Sequence, residues 1–142
     1  MAFREKMAWL TLVTILIAYG VYFGLVGPAA DFGRNRLIDV IWSFGAVALA
    51  HAAAVIVGSI AIAVTSTKEA RAPADERDRA IARRGSTFGY YVLLAGMIHV
   101  GVVMPFSEPS WRIVNTALLA IVVAEVARDV VILLSYRRGW HA

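Results

Sequence analysis

The chain has 142 residues, 60% of them hydrophobic, with a formal net charge of +4 and no cysteine. Its mean hydropathy of +0.70 exceeds what soluble domains show, and its length suits one compact domain. Without cysteine there are no disulfides, thiolate metal sites or thiol catalysis. The positive charge does not point to nucleic acid, because the basic residues are interleaved with acids at the flanks of apolar runs.

The apolar residues form four blocks, each near the ~20 residues that a helix needs to cross a bilayer core. The blocks mostly lack the polar stripe of a soluble bundle helix. The first span is predicted over 8–27. Arg4 and Lys6 before it imitate a signal peptide, but the run is too long and Gly27-Pro28-Ala29 makes a poor cleavage site. Pro28 and the turn-rich residues up to Gly33 end this span. The second span covers 38–64, long enough to tilt or protrude. A polar segment, 65–87, separates it from the third span, 88–106. The six residues 107–112 lead to the fourth, 113–136, and so short a link makes spans three and four antiparallel neighbours.

Within the polar segment, Pro73 is followed by acids and then by bases up to Gly85. Asp75 is the expected N-cap and Gly85 the expected C-cap of a short surface helix between spans two and three. Acids at its start and arginines at its end suit the helix dipole. Asp75, Glu76, Arg77, Asp78, Arg83 and Arg84 are the candidates for contact with lipid phosphates or for docking a partner.

Charge placement sets the expected orientation. Arg4 and Lys6 of the tail, Lys68, Arg71, Arg77, Arg79, Arg83 and Arg84 of the central segment, and Arg137 and Arg138 fall on one side. Arg34, Arg36 and Arg112 fall on the other. The positive-inside rule makes both termini and the central segment cytoplasmic, with Trp42, Trp111 and Trp140 as interfacial anchors. The expected fold is an all-α, integral-membrane four-helix bundle, N-in and C-in.

Small residues recur along the spans: Gly20 and Gly24; Ala46, Ala50, Ala54 and Gly58; Ala117, Ala120, Ala124 and Ala127. Such stripes allow close helix approach in lipid and are expected to pack the four helices internally, with an oligomer contact as the alternative.

The chemically informative residues are the ionisable groups inside the spans: His51, His99, Glu125, Arg128 and Asp129. Antiparallel threading puts His51, His99 and Glu125 at similar depth. Burying charge in a bilayer is costly, so these groups should face the interior and find partners. Glu125 and Arg128 are three apart and Glu125 and Asp129 four apart, so Arg128 can bridge both carboxylates. One reading of this cluster is structural. Another has His51 and His99 as axial ligands of a b-type haem, or as ligands of a metal together with Glu125. A third has Glu125, Arg128 and Asp129 handling protons or a small molecule. No Walker loop, GxSxG, GxGxxG or intramembrane lysine is present, and no catalytic residue is assigned.

The run Ala74-Asp75-Glu76-Arg77-Asp78 with Ile81, then Gly89-Tyr90-Tyr91, and the stretch from Ala124-Glu125 through Asp129 to Tyr136-Arg137-Arg138-Gly139 resemble an uncharacterised family of short bacterial inner-membrane proteins. The likeness covers mostly the second half of the chain. It implies four spans, a DER-type cytoplasmic loop and the bacterial inner membrane. Some of those proteins accompany small DNA-binding regulators, which implies partner binding rather than chemistry. The sequence as a whole is read as a non-enzymatic accessory or partner-binding membrane protein, such as a minor subunit of a larger complex. It sits in the lipid bilayer, has a protein partner or a second copy, and has no nucleic-acid role and no required cofactor.

Overall fold

A computed structural model describes residues 3–26, 36–67, 73 and 75–138. Lys68, Arg71, Arg34, Trp140 and the turn from Pro28 to Gly33, all used in the sequence reading, lie outside the described residues. Among the described residues there are four helices and no strand: α1 (Phe3–Val21), α2 (Arg36–Thr65), α3 (Glu76–Ile98) and α4 (Ser110–Arg137). A π-helical turn, Tyr22–Val26, follows α1. Another, His99–Val103, follows α3 and leads into a 3-10 turn, Met104–Phe106. Among the described residues, three segments are long and apolar enough to cross a membrane: Phe3–Gly24, Leu37–Thr65 and Glu76–Phe106. The fourth helix has 28 residues and carries Arg112, Glu125, Arg128 and Asp129.

α1 is the organising helix. Ala8, Leu12, Ile15 and Tyr19 are spaced four, three and four apart, so they share one face, and all four are buried. Val122 and Leu133 of α4 join them in the core, with Phe44 and Val47 of α2 packed alongside. Tyr19 stacks on Phe44 at 5.2 Å between ring centroids, and Tyr22 meets the same ring edge-on at 5.3 Å. These tyrosines are packing aromatics. Tyr90 and Tyr91 of α3 are exposed.

The closest helix pair is α3 with α4. A tight link joins them: the Ser107 and Glu108 amides both donate to the Met104 carbonyl, and Pro109 precedes the first turn of α4. Glycines bring the two helices together. A Cβ on Gly96 would lie 2.7 Å from the Ala120 Cβ, and one on Gly89 would lie 3.1 Å from the Ala124 carbonyl oxygen. Ala120 and Ala124 thus pack internally, as expected of their stripe. Gly58 of α2 is likewise close to Leu10 of α1. The other small residues correct the expectation of internal packing. Gly20 and Gly24 face open space, and Ala46, Ala50 and Ala54 lie on the exposed side of α2.

The central segment also differs from expectation. Asp75 is the N-cap, its carboxylate accepting from the Asp78 amide at 2.6 Å. Gly85, however, does not end a surface helix. The helix begun at Glu76 runs on unbroken into the third apolar block, and Gly85 is buried against Ile132 and the Arg128 carbonyl. A glycine inside a helix costs only about 1 kcal/mol relative to alanine. Here its missing side chain admits α4.

Candidate functional site

Four contacts gather four helix ends at one end of the bundle. Arg4 Nε of α1 lies 3.1 Å from Asp78 of α3, and the Tyr136 hydroxyl of α4 donates to the same carboxylate at 2.7 Å. Lys6 Nζ donates to the Ser66 hydroxyl just past α2, at 3.1 Å. The Arg137 guanidinium sits 5.2 Å over the Trp9 ring. At the opposite end the Tyr22 hydroxyl donates to Asn115 Oδ1 at 3.1 Å, and the Arg112–Glu108 pair closes the link before α4 at 2.7 Å. Arg77, Arg79, Arg83, Arg84 and Arg137 therefore share an end with Arg4 and Lys6, while Arg112 stands at the other.

Between these ends runs an elongated cavity of about 680 Å³. Its lining residues on α1 extend from Phe3 to Tyr19, about 24 Å at 1.5 Å per residue. α1 forms its floor, and α2 and α4, which touch each other sparingly, form its walls. Asp78, Ile81 and Ala82 of α3 line the arginine-rich end. Most of the lining is apolar: Ile15, Phe44, Val55, Ile56, Ile121 and Ile132 among others.

Four of the five polar residues expected inside the spans converge on this cavity: His51, Glu125, Arg128 and Asp129. Asp129 is only 5% exposed. Its electrostatic neighbours are the Thr11 hydroxyl, Arg128, Glu125 and His51. Arg128 Nη1 donates to Glu125 Oε2 at 2.9 Å, and both side chains are about half exposed. That pair matches the sequence reading. The expected bridge from Arg128 to both carboxylates does not form, since among the described residues Arg128 is ion-paired to Glu125 alone. His51 packs edge-on against Tyr19 at 5.4 Å, and its Nε2 is buried without a hydrogen-bond partner among the described residues.

His99 is not part of the group. It is exposed, opens the π-helical turn after α3, and does not line the cavity. The packing of Gly96 on Ala120 puts His99 level with Ala117, eight residues from Glu125 along α4. That is about 12 Å, so the equal depth expected of these two residues does not hold. The two imidazoles that a haem would need are therefore not presented to one cavity. Among the described residues, no group of three or more His, Asp or Glu side chains gathers in a way that could hold a metal ion.

Of the candidates in the central segment, Asp75, Glu76, Arg77 and Arg83 are exposed. Arg84 lines a small cavity of about 180 Å³ with Phe88, Ser135 and Arg138. Asp78 instead faces inward and joins α1, α3 and α4. Its partners are 74 and 58 residues away in sequence, so no local pattern announces them. Thr11, in contrast, is a residue that the sequence reading passed over. It sits one turn from Ala8 on the face of α1 that meets α4.

Comparison with family models, curated proteins and solved structures gives no match. The reading of this chain therefore rests on its own residues.

Proposed function

We propose that this chain is a four-span protein of the bacterial inner membrane, with both termini cytoplasmic, and that it serves as a non-enzymatic partner-binding subunit. The arginine-rich end of the bundle would be the cytoplasmic one by the positive-inside rule. α4 would be the fourth span. Its ionisable residues are tolerable there because Glu125 and Arg128 neutralise each other and Asp129 is turned inward.

The observation that carries the partner role is the outward face of α2. Trp42, Leu49, Val57, Ile60 and Val64 are each 59–75% exposed. Ala46, Ala50 and Ala54 share the exposed side of the helix. Large side chains beside a line of small ones give a helix surface on which a second helix can seat closely. Lipid tails gain nothing from such a shape, whereas a packed helix does. The occupant is a transmembrane helix of a companion protein or of a second copy.

Native mass spectrometry after gentle extraction tests this. The expected result is a stoichiometric complex whose mass exceeds that of the single chain. Release of the chain alone, carrying only lipid, would contradict the reading.

A further inference from the structure

The cavity has an excess charge that the fold does not neutralise. Three carboxylates and two guanidiniums line it. Asp78 is paired with Arg4 and Glu125 with Arg128. Asp129, the most buried of the three carboxylates, has no ion pair among the described residues. With His51 neutral, the lining carries one net negative charge. An uncompensated carboxylate in surroundings of low dielectric is unfavourable, and a cation brought beside it relieves that cost. In the same cavity, His51 Nε2 is buried without a hydrogen-bond partner among the described residues. In a neutral imidazole with its proton on Nδ1, Nε2 is an acceptor.

Asp129 has the Thr11 hydroxyl and Arg128 beside it but no ion pair among the described residues, His51 Nε2 can accept a further hydrogen bond, and most of the walls around them are apolar. The volume of about 680 Å³ falls within the ~300–1,000 Å³ typical of small-molecule sites. We propose that the cavity binds a small amphiphilic amine in its protonated form, with Asp129 as counter-ion and His51 Nε2 as a second acceptor. The apolar body of the ligand lies along Ile15, Val55 and Ile121. Asp129 is eight residues from Arg137, about 12 Å down α4. That is deeper than a lipid headgroup amine resides, so the ligand is a free amine rather than a phospholipid. This inference rests on the four-span placement proposed above but does not use the outward face of α2, so it stands or falls separately from the partner role.

Calorimetric titration of decylamine at neutral pH into the protein in phosphatidylcholine nanodiscs, with empty discs subtracted, tests the proposal. The wild type should bind saturably with one site per chain. Asp129→Asn should weaken binding at least about tenfold, the scale of one charge-assisted hydrogen bond. Ala52→Phe, which adds a ring at the cavity lining without changing its charge, should weaken it as much. Decanol, which is equally apolar but uncharged, should give no saturable signal. Unchanged affinity in Asp129→Asn, or decanol binding as tightly as the amine, would overturn the proposal. If Asp129→Asn fails to fold, as judged by helical circular dichroism, Ala52→Phe and the decanol titration still decide the matter. Unchanged amine affinity in Ala52→Phe refutes a site in this cavity.

Discussion

The Tyr136 hydroxyl donates a 2.7 Å hydrogen bond to Asp78 Oδ1, across 58 residues of chain. Arg4 reaches the other oxygen of that carboxylate from α1 at 3.1 Å. One side chain thus fastens three helices at the arginine-rich end. Tyr136→Phe removes only the hydroxyl, and should lower stability in detergent by about 0.5–1.5 kcal/mol, the usual worth of a single hydrogen bond. Asp78→Ala should cost more, since it releases Arg4 and Tyr136 together. A double-mutant cycle between Arg4→Ala and Tyr136→Phe, followed by thermal melting, should show coupling because both act through Asp78. Strict additivity would mean that the carboxylate does not join the two.

The glycines separate into two kinds that sequence alone does not distinguish. Gly89 and Gly96 sit where α3 and α4 nearly touch, while Gly20 faces open space. Gly96→Val should destabilise by about 1–3 kcal/mol, as overpacking does. Gly20→Ala should be neutral or stabilising by up to about 1 kcal/mol from helix propensity. Melting temperatures of the two variants in one detergent check the contrast. A large loss for Gly20→Ala would place a helix contact at a face that is open in this structure.

Orientation can be read with single cysteines, because the chain has none of its own. Ser107 lies in the link between α3 and α4, and Arg79 at the opposite end, both exposed. In intact cells a membrane-impermeant maleimide should label Ser107→Cys and spare Arg79→Cys, which should react only after the membrane is opened. The reverse pattern would invert the orientation that the arginines imply.

Much of the fold was legible because hydropathy and charge are properties of contiguous segments. The four helices, three of them apolar enough to span a membrane, the Asp75 cap and the tight link before α4 can all be read from neighbouring residues. The Glu125–Arg128 pair was legible for the same reason, being one helical turn apart. Gly85 misled because the same residue serves as a helix terminator and as a site of close helix approach, and only the partner helix decides which. His99 misled because depth was counted from the span ends, whereas the register of α3 on α4 is set by Gly89 and Gly96. The partners of Asp78 and the neighbours of Asp129 lie on other helices, and no local spacing encodes them. The cavity is legible only after α2 is seen to lean on α1 and to leave α4 largely uncovered.

The proposed partner role rests on α2, and Leu49, 75% exposed midway along that helix, is the position to probe. A photo-reactive benzophenone amino acid placed there should, on irradiation of intact cells, give one discrete protein adduct in good yield. Its mass would be twice that of the chain for a second copy, or another defined value for a companion. The same probe at Leu94, on the exposed side of α3, should give no such adduct. Lipid adducts alone at Leu49, or identical patterns at the two positions, would contradict the account.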